Sequence, residues 1–343
     1  MAWFNNSWLY RIKITVLANK VDADLTDYPV YVNLNNLPAG FHSHCNQTDA
    51  RDIRVTTDDG STEIPREVVS YTAASDTGEL YFKGNIDSDT DTSFYIYYGN
   101  TEATEPATDA TYGSENVWDS NYKAVYHLKG LLDSTANSAD LTNVDTTDGT
   151  GKIGLGKEHS GTGQYLTGTD IAFGGTSPIT ISAWCEPDSV TGNHNLVAQS
   201  TEVVLRTVGA EAQWILNSFT TDDRVITTGT NITINTWVYL CGTYSTANGL
   251  KIFVNGTEKA QGTPSGSYAN VAANFDIGRL GNNSEFFDGV LDEVRISSID
   301  RGADWIATEY NNQNDASTFY SVGAEESATI VPTNVVNMVI SNY

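Results

Sequence analysis

Tyr10-Arg11-Ile12-Lys13-Ile14-Thr15-Val16 places Ile12, Ile14 and Val16 in step with Tyr10 and sets Arg11, Lys13 and Thr15 between them. A period of two sends successive side chains to opposite faces, so the stretch reads as a half-buried β-strand. The same alternation returns at Val30, Val32 and Leu34, at Ile53 and Val55, and at Phe94, Ile96 and Tyr98. Between these runs stand the turn clusters Asp58-Asp59-Gly60, Ser75-Asp76-Thr77-Gly78 and Asp87-Ser88-Asp89-Thr90. Short strands separated by turn residues imply an antiparallel sandwich or barrel, not a doubly wound sheet. Later strands are expected at Ile179 to Trp184, Trp237 to Leu240 and Leu250 to Val254, the last running into the hairpin dipeptide Asn255-Gly256. Ala303 to Asn312 is the one convincing helix.

The fold class expected is all-β, with two β-sandwich domains. Thr101 to Ser114 is small, polar and acidic with no apolar period, so it reads as a linker. This divides the chain into a sandwich over 1–100, a linker over 101–114, a second sandwich over 115–325 and a tail over 326–343. The tail turns apolar at Val335 to Ile340, and Val331 to Tyr343 is expected to add a strand to a neighbouring subunit.

Of the 343 residues, 43 are acidic and 18 basic, a net charge of −25. That balance argues against nucleic acid or an anionic membrane as partner, since phosphate binding needs clustered Lys and Arg. It suits a protein kept soluble by self-repulsion, or one that collects divalent cations. Seven Trp, eighteen Tyr and eleven Phe supply core material for a folded protein. Cys45, Cys185 and Cys241 are odd in number and widely spaced, which argues against a disulfide framework. No apolar run approaches the roughly 20 residues of a membrane-spanning helix. The N-terminal segment lacks a signal-peptide pattern, so the protein is expected in the cytosol, or released by lysis as part of a particle.

With these residues placed, residues 1 to about 114 resemble the domain of unknown function 2341. The resemblance rests on Tyr10-Arg11, Asp27-Tyr28-Pro29-Val30, Asp52-Ile53-Arg54 before Asp58-Asp59-Gly60, and Tyr95-Ile96-Tyr97-Tyr98-Gly99-Asn100. Residues 115 to about 325 resemble the laminin-G-like, concanavalin A-like lectin/glucanase group. Here the matching residues are Asn116-Val117-Trp118-Asp119, Val125-Tyr126-His127-Leu128, Asp133-Ser134-Thr135, Ile181-Ser182-Ala183-Trp184, Leu291 to Ser297 and Asp304 to Gln313. The resemblance implies two β-sandwiches, the second a jelly roll, as found in phage structural and bacterial surface proteins. It is specific for fold and nearly silent on activity.

Some enzymes of this group hydrolyse glucans, and retaining chemistry needs two carboxylates about 5 Å apart. Alternate residues of one strand would supply them. Glu186-Pro187-Asp188-Ser189-Val190 comes nearest but lacks the final acid, and Glu325-Glu326 and Asp222-Asp223 are adjacent pairs that point apart in extended chain.

Asp292 shares its phase with Val290, Val294 and Ile296, which predicts a buried carboxylate that is hydrogen-bonded, paired or metal-bound. A structural calcium would meet that need, with Asp133, Asn137, Asp140 and Asp292 as its oxygen donors. In the competing reading Asp292 caps backbone amides and Asp133 starts a turn. Asp87, Asp89 and Asp91 mimic half an EF-hand loop, but Thr92 and Tyr98 stand where Gly and Glu are needed, so a hairpin turn is expected. His42-Ser43-His44-Cys45 reads as a polar loop with no second cluster to complete a metal site. Cys185 and Cys241 read as small buried hydrophobes, and His127 as a packed, hydrogen-bonded histidine.

Sugar binding needs an aromatic platform ringed by polar donors and acceptors, and the loops Thr191 to Asn195 and Gly281 to Phe287 have that composition. The reading that results is a non-enzymatic virion protein (capsid or tail decoration or fibre) or surface structural protein, binding cell-surface polysaccharide in host adhesion. It is expected at the virion surface, made in the host cytoplasm, homo-oligomeric, in contact with other virion proteins, and not inserted in a membrane. The alternative is a glycan-active hydrolase or its accessory carbohydrate-binding module.

Overall fold

The computed structural model describes residues 2–45, 47–269 and 272–328. Among these the strands form four antiparallel sheets, packed as two sandwiches. In the first, a five-stranded sheet runs in the order Tyr320–Ser327, Tyr10–Val16, Thr92–Tyr98, Arg54–Thr57, Glu63–Ile64. It faces a three-stranded sheet ordered Leu25–Asn33, Thr77–Ile86, Arg66–Thr72. The alternation that opens the chain lands as expected: Ile12, Ile14 and Val16 are buried against Val30, Val32, Phe82 and Ile96.

The second sandwich pairs an eight-stranded sheet with a seven-stranded one. Ile179–Pro187 lies inside the larger sheet, between Asp288–Ser297 and Val238–Ser245. Ile179, Ile181, Ala183 and Cys185 enter the core with Trp214 and Leu205 of the opposite sheet. The alternate residues are buried too. Ser182 and Trp184 meet the helix Ala303–Asn314, where Ser182 Oγ donates to Glu309 (3.2 Å) and Trp184 Nε1 to Gln313 (2.5 Å). Burial on both faces explains why this strand reads as a continuous apolar run. Asn255 and Gly256 both have positive φ, 49° and 75°, as the two-residue hairpin turn requires.

The expected division at 325 is corrected by the pairing. Tyr320–Ser327 hydrogen-bonds along Tyr10–Val16, so the chain returns to complete the first sheet. Val117, Trp118, Tyr122, Val125, Trp305 and Phe319 pack in the same core as Ile12 and Phe82, so apolar contact is continuous across the junction. Residues 101–114 are not a free spacer. Glu105 receives a bidentate pair of bonds from buried Arg66 (2.5 and 2.6 Å), and Arg54 donates to Thr104 O (2.7 Å). The apolar segment Val331 to Tyr343 lies outside the described residues.

The short helix Ala39–His44 replaces the polar loop expected for His42 and His44. The His44 ring stacks on Tyr10 with centroids 4.0 Å apart, and its Nδ1 lies 3.0 Å from Glu325. Asp87 Oδ1 accepts from Asp89 N and Thr90 N, which makes the Asp87 to Asp91 stretch a hydrogen-bonded turn. Glu325 and Glu326 do point apart, one to Tyr98 and His44 and the other to Arg11.

Candidate functional site

Asp292 is buried, but on the other face from the one its phase implies. It lies opposite Trp184, whereas Leu291 lies opposite Cys185 in the core. The reason is a bulge: the register shifts between Ser182 and Trp184, and Glu293 takes a positive φ of 48°. One extra residue flips the alternation, so Val294 and Ile296 return to the core while Asp292, Glu293 and Arg295 face the first sandwich. Asp292 Oδ2 accepts from Ile153 N and Oδ1 from Glu293 N, both at 2.8 Å. Burial, then the charge of Glu293, hold its carboxyl well above the usual carboxylate range.

The four expected calcium ligands are not gathered at one point among the described residues. Asp133 accepts four hydrogen bonds, from Val125 N, Thr135 N, Thr135 Oγ1 and Ala139 N at 2.8–3.0 Å, which occupies both its oxygens. Asp140 accepts from Asp133 N (2.9 Å), and Asn137 turns its amide nitrogen to Tyr122 O (3.0 Å). These side chains build a turn. Among the described residues no three His, Cys, Asp or Glu side chains gather as a metal site would need.

Sequence reasoning missed the partners of His127. Its Nδ1 lies 2.6 Å from Glu293, which also accepts from Arg295 (2.9 Å) and from Tyr81 (3.0 Å). Arg295 in turn donates to Glu309 (2.8 Å), which accepts from Tyr239 (2.6 Å). This network lies between the sandwiches and joins them, with Glu293, Arg295 and Glu309 buried and His127 at its outer end. Cys185 and Cys241 are both fully buried, as expected for small hydrophobes.

The two loops marked as polar and aromatic do converge, on Glu285. Its carboxylate accepts from Asn193 (2.9 Å), Asn195 (2.9 Å) and Arg206 (2.6 Å). Asn195 also donates its backbone N–H (3.1 Å) and its amide (3.0 Å) to Glu285 O, and Arg206 Nε donates to Gln213 (2.8 Å). Both ring nitrogens of His194 lie 3.0 Å from carbonyl oxygens, one of Phe286 and one of Thr191, which fixes the loops to each other. Cross-strand register puts Asn195, Arg206, Gln213 and Ile226 in one row on the face of the seven-stranded sheet turned away from the core. Burial works to raise Glu285, but the bonds from Asn193 and Asn195 and the charge of Arg206 outweigh it and hold the carboxyl below its ordinary range. Glu285 adopts a positive φ of 50°, a strained state for a residue with a Cβ, at the point where these partners meet. The Glu285 and Arg206 side chains remain 28% and 13% exposed, so this cluster, unlike the one at Glu293, can be reached.

Residues 49–123 match the model of the domain of unknown function DUF2341, and residues 160–307 match that of the concanavalin A-like lectin/glucanases superfamily. The two matches follow one another along the chain in that order. The Glu285 cluster lies wholly within the second match. No curated protein matches the sequence. Among solved structures, domain 4 of AbnA, a GH43 extracellular arabinanase from Geobacillus stearothermophilus solved with arabinotriose, is 19% identical. It aligns over 56% of this chain and 98% of its own, with a TM-score of 0.46. The botulinum neurotoxin serotype G binding domain is 11% identical over 55% of this chain and 50% of its own, with a TM-score of 0.46. The binding domain of Paraclostridial Mosquitocidal Protein 1 is 14% identical over 55% and 52%, with a TM-score of 0.47. The chain spans about half the length of those two toxin domains.

Proposed function

We propose that this chain is a non-enzymatic structural protein that binds cell-surface polysaccharide through the outer face of its second sandwich, displayed at the surface of a virion for host adhesion. The observation that carries the binding role is the Glu285 cluster. A sugar presents adjacent hydroxyls that both donate and accept, and the complementary surface is a set of planar polar side chains already held in place. Glu285, Arg206, Asn193 and Gln213 are such a set, each oriented by another member. Half-buried Phe286 and exposed Ile226 border them with apolar surface. The family match at 160–307 supports the same reading, since lectins share this sandwich. Display on a virion rests on the resemblance of the two modules, in this order, to phage structural proteins.

The test is a glycan and host-polysaccharide array probed with the full chain and with Glu285→Gln. The expected result is retention of the wild type on one class of sugar and at least about tenfold weaker retention of the variant, the loss of one charge-assisted contact. No retention of the wild type on any sugar, or equal retention of both proteins, would refute it.

A further inference from the structure

Where the three-stranded sheet of the first sandwich meets the loop Gly151–Gly154 of the second, the surface opens into a cleft of about 340 Å³. That falls within the roughly 300–1,000 Å³ of small-ligand sites, which favour junctions of this kind. Half-buried Glu79 stands in the first sandwich's wall, and its carboxylate makes no hydrogen bond or ion pair with any described residue. Tyr31 lines the same wall, is 4% exposed, and its hydroxyl has no hydrogen bond among the described residues. Neither is a sealed polar atom, so both the carboxylate and the hydroxyl open onto the cleft. The opposite wall brings Lys129 and Lys152. Lys152 donates to Asn314 O (3.0 Å) and Asn314 Oδ1 (2.9 Å) and lies over the Trp184 ring (4.6 Å), while Lys129 reaches Val69 O at 3.4 Å. Each ammonium has three donors, so Lys129 keeps two for a ligand and Lys152 one. Gly154 closes over the floor, where a Cβ would come within 2.7 Å of Glu79 Oε1.

We propose that this cleft binds one acidic monosaccharide unit, a hexuronate, with hydroxyls bonded to Glu79 and Tyr31 and its carboxylate held by Lys129 and Lys152. A simple anion would meet the lysines but face the Glu79 carboxylate. A simple cation would meet Glu79 but face the lysines. A neutral sugar would satisfy Glu79 and leave the lysines unused. A ring with hydroxyls at one end and a carboxylate at the other answers both walls, independently of the Glu285 face.

Saturation-transfer NMR of the full chain with D-glucuronate and with D-glucose tests this at neutral pH. Glucuronate is expected to titrate in the millimolar range, with glucose at least about tenfold weaker, the loss of one charge-assisted contact. Lys129→Gln and Glu79→Gln should each weaken glucuronate about tenfold by the same arithmetic. Glu285→Gln should leave it unchanged, so this site and the array-binding face fail separately. No saturable transfer to glucuronate, equal binding of glucose, or unaltered titration in Lys129→Gln would overturn the proposal.

Discussion

Replacing Glu293 by Gln removes a negative charge on which two buried cations depend. Glu293 is 1% exposed and lies 2.6 Å from His127 and 2.9 Å from Arg295. Burial alone would lower His127, but the charges of Glu293 and Glu67 outweigh it and hold the imidazole up to about 10. Burial would raise Glu293, but His127 and Arg295 outweigh it and hold the carboxyl down to about 2. His127 therefore contributes stability that is complete below its unfolded pKa of 6.5 and lost as the pH rises through about 10. Glu293 contributes stability that is complete above 4.5 and lost as the pH falls through about 2. Both contributions are whole between pH 4.5 and 6.5. In the variant only Glu67, 3.5 Å away, still favours the His127 proton, so the imidazole's pKa falls and the loss of stability is greatest where the unfolded chain holds that proton. Breaking a buried pair from one side costs about 3–5 kcal/mol. An unfolding entropy of about 2.1 cal/mol/K per residue over 343 residues turns this into a Tm lower by about 4–7 °C. Calorimetry near pH 5.5 should show that shift, and near pH 9 a smaller one. A shift below about 1 °C at pH 5.5, or the same shift at both, would refute the assignment of charge to this pair.

Asp292→Ala should cost about 2–4 kcal/mol, because Ile153 N and Glu293 N would both be left buried without an acceptor; an unchanged denaturation midpoint would remove the capping role. Gly242→Ala should destabilise by about 1–3 kcal/mol, since a Cβ there would lie 2.3 Å from the buried Trp214 ring. A neutral result in urea unfolding would show that the ring can move. Melting curves in EDTA and in excess calcium should coincide, given how Asp133 spends its oxygens on the turn; a higher Tm in calcium would reveal a site built from other residues.

Local pattern carried the strands, the Asn255-Gly256 turn and the helix, because each is decided within a few residues by side-chain period or by φ preference. It carried the burial of Asp292 but not its direction. A period of two holds only while the ladder is regular, and nothing in Leu291-Asp292-Glu293-Val294 announces that Glu293 takes a left-handed conformation. The loops that meet at Glu285 were legible by composition alone; that Asn193 and Glu285 touch is a contact across 92 residues, fixed by strand order. The return of Tyr320–Ser327 to Tyr10–Val16 was hidden for the same reason. Tyr320-Ser321-Val322-Gly323 has a weak strand signature, and its stability comes from the partner it finds. Glu79 carried no signal at all, since what marks it is the missing partner in a folded cleft.

The helix Ala303–Asn314 shows how the two sandwiches are held in one orientation. An ordinary surface helix buries an apolar stripe, whereas this one buries Glu309, Asn312 and Gln313 beside Trp305 and Ile306. Asn312 accepts from Tyr31 N (2.8 Å) and donates to Tyr31 O (2.9 Å), so it stands in for a neighbouring strand at the open edge of Leu25–Asn33. Gln313 and Glu309 do the reverse, binding Trp184 and Arg295 of the second sandwich. Apolar contact tolerates sliding, but a buried amide that loses either bond pays in desolvation, so small rotations of one sandwich against the other are penalised. Tyr31 belongs both to this arrangement and to the wall of the junction cleft. The bonds that fix the sandwiches therefore also fix the backbone on both sides of this cleft, which lowers the ordering cost that opposes binding between them.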